Sequence, residues 1–172
     1  MAILLGILVF VVLFFGLFAF TGAPYVPSKK KDLEDLFKNL YPLKETDFVI
    51  DLGSGDGAVL NAVSKHKAKG LGVELNPLLV LISKIRLRND NNIRFVCDSM
   101  YKIEFPKETT CVYLFGDDRD FGKIEKKIQQ EANRLNKKLV LLSYGFDSKS
   151  RKATKAHGAY FLYEFKPEKS SK

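Results

Sequence analysis

Tryptophan is absent from this chain, and cysteine, methionine and histidine occur only twice each. Two cysteines cannot build a disulfide framework, and neither Cys97 nor Cys111 has a partner at metal-ligand spacing. Both sit in apolar runs that read as interior strands, so they are expected to be buried free thiols of a reducing compartment. His66 falls late in a helical stretch and His157 in a basic loop, and both read as surface residues rather than catalysts. No internal repeat and no metal site can be read from the chain. Its 172 residues leave room for one domain of ordinary size and not for a second.

Charge is also missing where it would be expected. The first 28 residues contain no Lys, Arg, Asp or Glu, so the whole net charge of +8 belongs to the segment from Lys29 onward. That excess suggests attraction to an anionic partner: a lipid surface, a nucleic acid or an acidic protein.

What fills the uncharged segment is a run of nineteen apolar residues, 2–20. As a helix it would be about 28 Å long, close to the hydrocarbon thickness of a bilayer at about 30 Å. A cleaved signal peptide fits less well, because no basic residue precedes the run and Phe18-Ala19-Phe20-Thr21-Gly22-Ala23 is a poor cleavage site. A core helix would not be apolar on every face. The run is therefore expected to be a retained single-pass membrane anchor. Lys29, Lys30 and Lys31 follow it closely. Basic flanks stay on the cytoplasmic side, which would put the remaining chain there and the N-terminus outside. The same lysines could meet anionic headgroups or simply be solvated.

Residues 21–27 hold Gly22, Pro24 and Pro27 and read as a linker. A helix then follows Ser28, with Leu33, Leu36, Phe37 and Leu40 on one face, closed by Pro42. From Asp47 onward strands and helices alternate. Phe48-Val49-Ile50 reads as a buried strand, and a helix from about Ala58 ends at Gly70 as its C′ residue. Leu71-Gly72-Val73-Glu74 is the second strand. Asn76 caps a helix with Pro77 in its first turn and an apolar face of Leu78, Leu81, Ile82 and Ile85. Further strands fall at 93–97, 111–115 and 139–142, with a helix between the last two carrying Phe121, Ile124, Ile128 and Leu135 on one side. Residues 160–165 look like an edge strand. This order implies an α/β fold with a doubly wound, Rossmann-like parallel sheet. The expected organisation is an anchor over 1–22, a linker and covering helix over 23–45, the α/β domain over 46–166 and a disordered tail over 167–172.

The chemical signal lies in Asp51-Leu52-Gly53-Ser54-Gly55-Asp56-Gly57, where the first strand turns into the first helix of the repeat. Glycines there let the backbone turn tightly and approach a ligand. Glu74 follows 23 residues after Asp51, at the carboxyl end of the second strand, where a carboxylate can accept hydrogen bonds from ribose hydroxyls. Gly53, Gly55 and Ala58 also satisfy the dinucleotide fingerprint, so an NAD site is an alternative. Asp51 before the turn, Asn76-Pro77 after the acid and Asp98-Ser99 ending the third strand favour S-adenosylmethionine instead.

These residues resemble a known family. Asp51-x-Gly53-x-Gly55-x-Gly57 is similar to motif I of the class I, seven-strand methyltransferases, with Glu74 as the ribose acid and Asp98 as the adenine-side acid. Pro24-Tyr25-Val26-Pro27-Ser28 and Gly72-Val73-Glu74-Leu75-Asn76-Pro77 are similar to segments of the membrane-anchored protein-lysine methyltransferases that modify adenine nucleotide translocase and the c-subunit of ATP synthase. The resemblance implies S-adenosyl-L-methionine as cofactor, held by Asp51, Gly53, Ser54, Gly55, Gly57, Glu74, Leu75, Asn76, Asp98, Ser99 and Phe115. It also implies a protein substrate at or in a membrane. The chain departs from the family at its C-terminal end, where one strand is evident after Leu142; either the sheet is trimmed or 145–158 hides an irregular element.

Methyl transfer from a sulfonium needs an uncharged nucleophile in line, so positioning and desolvation carry much of the catalysis. Lysine, with an ordinary pKa of about 10.4, must lose its proton first. Asp117 and Asp118 follow the fourth strand where such a fold exposes residues to the methyl group, although a helix N-cap and a solvated turn acid fit them somewhat better. Tyr25 could contact the sulfonium through its ring or pack the linker onto the domain. A lipid, quinone or nucleic-acid acceptor, and a non-catalytic membrane-tethered binding protein, remain alternatives.

Overall fold

Continuous apolar strands need cover on both faces of their sheet, and this chain supplies it by alternating strands with helices. The computed structural model describes residues 5–6, 30–115 and 121–168. Helix α1, Lys30–Asp35, runs on into a π-helical turn, Leu36–Leu40. Then follow β1 (Phe48–Leu52), α2 (Ala58–Lys65), β2 (Lys69–Glu74), α3 (Pro77–Arg86), β3 (Ile93–Cys97), β4 (Cys111–Phe115), α4 (Phe121–Leu135), β5 (Leu139–Tyr144), β6 (Lys155–His157) and β7 (Tyr160–Phe165). The sheet order is β3-β2-β1-β4-β5-β7-β6. Strands β1 to β5 are parallel, and β7 is antiparallel to both β5 and β6.

Two cores sandwich the sheet. On one face Leu33, Leu36, Phe37 and Leu40 from the first helical segment pack with Leu60 and Val63 of α2 against Tyr113 and Leu142. On the other, Phe121, Ile124 and Ile128 of α4 cover Ile50, Leu52, Leu141 and Tyr163. Both helical faces are the ones expected from their spacing.

Several expectations need correction. Helix α2 stops at Lys65 rather than reaching Gly70, because Lys67 takes the left-handed conformation (φ 57°) and turns the chain. Gly70 lies inside β2, where a Cβ would stand 2.7 Å from Leu60 Cδ2. The face expected to bury α3 points outward: Val80 and Ser83 are buried, whereas Leu81, Ile82 and Ile85 are exposed. Cys111 is buried as expected, but Cys97 is exposed on β3, an edge strand. The sheet is not trimmed. Residues 145–158 contain β6, three exposed residues without any apolar pattern, and β6 rather than β7 forms that edge.

The irregular stretch before β6 is pinned by side chains. Buried Glu125 accepts hydrogen bonds from the Ser148 and Ser150 hydroxyls, both at 2.7 Å. Tyr163 donates to Asp147 Oδ1 at 2.6 Å and accepts from the Ser148 N–H at 2.8 Å. Glu168, in the expected tail, is held by Asn133, whose Oδ1 accepts its N–H at 2.9 Å; residues 169–172 lie outside the described residues.

The expected membrane span also lies outside the described residues apart from Leu5 and Gly6, which are helical and exposed. Among the described residues no helix is long and apolar enough to cross a membrane.

Gly72 shows how tightly the sheet is filled near the carboxyl end of β2. A Cβ there would collide with the Phe95 ring and stand 2.7 Å from Ser54 Oγ. Gly72→Ala is therefore expected to lower stability by about 1–3 kcal/mol through overpacking. Urea unfolding with an unchanged midpoint would contradict that reading of the packing.

Candidate active site

The carboxyl ends of the parallel strands carry the polar residues that the core excludes. At the end of β1 the chain passes through Gly53, Gly55 and Gly57 with φ of 83°, 52° and 81°, a left-handed series open only to glycine without strain. The turn is tied back to β2. Val73 O accepts the N–H groups of Gly53 at 2.8 Å and Ser54 at 3.1 Å, and Glu74 Oε2 accepts that of Gly55 at 3.0 Å. The other Glu74 oxygen accepts the Asn76 N–H at 2.8 Å, and Asn76 Oδ1 caps α3 by accepting the Leu78 N–H at 2.9 Å. One carboxylate thus joins the glycine turn to the start of the next helix.

Helix α3 braces the same turn from outside. Buried Ser83 donates its hydroxyl to Gly55 O at 2.9 Å, and Arg86 reaches both Asp56 O at 2.8 Å and Asp56 Oδ2 at 2.7 Å. Asp56 Oδ1 accepts the Ala58 N–H at 3.2 Å, so an acid already stands at the start of α2, one residue before its Gly57 cap. Ser83 and Arg86 were missed in the sequence, because nothing local marks a contact made across about thirty residues.

The expected cofactor residues come together here. Asp98 follows β3, and its N–H bonds Glu74 O at 3.1 Å, while its Oδ1 accepts the Ser99 N–H at 2.6 Å. Leu75 is exposed beside them, its carbonyl facing Cys97 Sγ at 3.5 Å. Phe115 ends β4 on the far side of the turn, its ring 5.3 Å from that of Tyr144 at the end of β5, and Tyr144 lies 4.7 Å from Tyr160. This aromatic row continues the register Phe115↔Tyr144↔Tyr160 across the strand ends. Tyr144 escaped the sequence reading, although counting to the end of the fifth strand would have reached it. Tyr25, Asp117 and Asp118 lie outside the described residues.

Two polar atoms in the crevice stand out. Asp51 Oδ2 and Ser54 Oγ are buried and have no hydrogen-bond partner among the described residues. Burial, then the charges of Glu74 and Asp56, push the Asp51 carboxyl up to about 8. Three carboxylates around one glycine turn suit a cationic ligand. They suit a pyrophosphate poorly, since an anion bound to such a fold sits at the helix N-terminus, where Asp56 already stands.

Comparison with known proteins agrees with this geometry. No family model matches the chain. An RNA methyltransferase from Salinibacter ruber, solved with S-adenosyl-L-homocysteine, superposes with a TM-score of 0.73 over 84% of this chain and 95% of its own, at 24% identity. The fold is that of a methyltransferase. The rRNA methyltransferase ErmE shares it with a TM-score of 0.58 at 14% identity, over 70% of this chain and 48% of that one. Among curated proteins, the ATP synthase C-subunit lysine N-methyltransferase of Xenopus laevis is 33% identical over 111 residues, 63% of this chain and 48% of that protein. Its human counterpart is 31% identical over the same length, covering 63% of this chain and 46% of that one. The chain thus spans about half the length of these relatives. The methyltransferase fold accounts for the strand order, with the antiparallel β7 inserted between β5 and β6.

Asp51 gives a pH signature. Its ordinary value is 3.8, so between about 4 and 8 the native protein holds a proton that the unfolded chain has lost. The stabilisation is complete below about pH 4 and declines as pH rises through 8. Asp51→Asn keeps the shape and removes the titration. In calorimetric melts of the ligand-free protein it should unfold above the unsubstituted chain at pH 8, with the gap closing toward pH 4. A gap independent of pH would reject the buried, protonated carboxyl.

Proposed function

We propose that this chain is an S-adenosylmethionine-dependent protein-lysine N-methyltransferase held at a membrane, with its catalytic domain on the cytoplasmic side. The observation that carries the reading is the acidic crevice: a glycine turn braced by Glu74 beside a buried Asp51 oxygen that lacks a partner among the described residues. S-adenosylmethionine supplies a methyl group on a sulfonium, and its α-ammonium is the kind of donor that Asp51 Oδ2 lacks. Each Glu74 oxygen accepts one N–H and keeps a lone pair for a ribose hydroxyl. Asp98 and Ser99 stand next to Glu74 for the adenine side, and Leu75 and Asn76 flank it.

A lysine acceptor must arrive uncharged. The row of Phe115, Tyr144 and Tyr160 offers an apolar wall that disfavours the ammonium form and shuts out water. Asp117 and Asp118 follow Phe115 after Gly116 in sequence and remain candidates for steering the acceptor, as does Tyr25 through its ring. The names of the lysine methyltransferase relatives support a protein acceptor.

Chain polarity supports the membrane part. Asp35 in α1 pairs with His157 at 2.6 Å, and His157 registers with Tyr160, beside the aromatic row. At the other end of the same segment Tyr41 donates to Asp47 Oδ1 at 3.0 Å, before β1 begins. Asp35 thus stands beside β6 and the aromatic row, while its neighbour Glu34 lies 3.9 Å from Lys65 at the end of α2. Only residues 21–29 separate the nineteen-residue apolar run from α1, a reach of at most about 30 Å. An anchor in the bilayer keeps the crevice near the membrane surface and concentrates acceptors there.

A nucleic-acid acceptor is the second reading, favoured by the net +8 charge and by the RNA methyltransferase named among the structural neighbours. Incubation of detergent-solubilised membranes and of total RNA with methyl-labelled cofactor separates the two. Label on protein lysine is expected; label confined to RNA or to lipid rejects the proposal. For the cofactor, Glu74→Ala removes charge-assisted bonds worth about 1.5–3 kcal/mol, so a loss of about ten- to a hundredfold in S-adenosylhomocysteine affinity is expected by calorimetry. Gly55→Val should abolish binding, because its φ of 52° is closed to a β-branched residue. Unchanged affinity in both, or binding of NAD in preference, would overturn the assignment.

A further inference from the structure

Among residues 30–168, every described large hydrophobic side chain that is substantially exposed falls between positions 75 and 101. Leu75 is 61% exposed, Leu81 54%, Ile85 57%, Ile82 38% and Tyr101 41%. Three of the five lie on the outer face of α3, one precedes its cap, and Tyr101 follows β3, the strand against which α3 packs. A folded domain leaves single apolar residues on its surface routinely; a contiguous strip marks a contact.

The helix does not need this strip to fold. Its inner face is secured by Val80, by the Ser83 bond to Gly55 O and by the Arg86 clasp on Asp56. The outer face instead combines an apolar stripe with exposed Lys84, and exposed Arg88 follows in the turn after the helix; neither enters an ion pair among the described residues. An apolar stripe with flanking cations is the composition of a helix that lies in a bilayer interface, with side chains among the acyl boundary and cations at anionic headgroups. The surface of a membrane fits all of it, and Leu75 sets the strip beside Glu74 at the crevice.

We infer that the outer face of α3, with Tyr101, rests on the surface of an anionic lipid bilayer. This is a second membrane contact, made by the folded domain itself and separate from the apolar N-terminal run. It orients the domain so that the crevice mouth stands at headgroup level. The chemistry at the crevice does not enter the inference.

The chain's lack of tryptophan makes the test direct. Ile85→Trp and, separately, Leu81→Trp place one emitter on the strip, and Lys126→Trp on exposed α4 serves as control. The full-length proteins are reconstituted into phosphatidylcholine vesicles with and without phosphatidylglycerol, carrying lipids brominated high on the acyl chain. With the anionic lipid present, both strip reporters should shift to the blue and lose at least half their emission to the brominated lipid, while the control does neither. In neutral vesicles the quenching should fall severalfold. Strip reporters unquenched by lipid overturn the inference. Where they are also shielded from acrylamide, the N-terminal run or a second copy covers the strip; where acrylamide reaches them as readily as the control, the strip stays in water. Equal quenching in neutral and anionic vesicles overturns the headgroup part. S-adenosylhomocysteine affinity is expected to be unchanged in all three variants, so failure here is separable from failure of the methyltransferase reading.

Discussion

The carboxylate of Glu74 is the contact through which the rest of the site is organised. Its two oxygens bridge the N–H of Gly55 in the glycine turn and the N–H of Asn76 at the cap of α3. Charge-assisted bonds to backbone donors are short and strong, and in a partly buried crevice water competes for them weakly. Losing either bond would leave the turn to the Val73 carbonyl and to the braces from Ser83 and Arg86. The turn, the helix that braces it and the strand that carries the acid therefore form one unit.

That unit carries an internal tension. Asp51, Glu74 and Asp56 crowd one turn, and like charges so placed cannot all ionise without help. Arg86 neutralises Asp56, Glu74 is satisfied by backbone donors, and Asp51 is left to keep its proton. A ligand that brings a cation can take the place of that proton, whereas a pyrophosphate would meet the charge of Glu74 and the Asp56 side chain at the helix N-terminus. The glycine spacing suits both a sulfonium nucleoside and a dinucleotide, and this electrostatic arrangement is the feature that favours the former.

Most of the scaffold was legible from periodicity and turn chemistry. The strands from β1 to β5 are short apolar runs ended by Gly or acids, and Asp51, Glu74 and Asp98 stand at or just beyond the carboxyl ends of theirs, where their spacing put them. What escaped was set by partners distant in sequence. Helix α3 presents two stripes of similar spacing, Leu78, Leu81, Ile82, Ile85 and Asn76, Val80, Ser83, Leu87. The more apolar stripe lost because the other holds the groups that fit the glycine turn. Strand β6 escaped because its three residues are exposed and carry no apolar pattern, and its pairing depends on β7 and on the Glu125 and Tyr163 contacts that shape the preceding loop. With β6 unseen, β7 could only read as the edge. Cys97 was taken for an interior residue because β3 is apolar in composition, while only the sheet order reveals it as an edge strand.

The outward stripe of α3 then acquires a meaning that burial statistics alone would not give it. A helix whose inner face must be polar enough to clasp a backbone turn has less apolar surface to fold with, and its sequence has no need for Leu81, Ile82 and Ile85 on the outside. Withdrawing such side chains from water is worth about 25 cal/mol per Å² of apolar surface, so three half-exposed aliphatic residues represent a few kcal/mol that folding leaves unrealised. Lipid can supply the missing burial. The bracing of the glycine turn and the orientation of the domain on a membrane are on this view two faces of one helix.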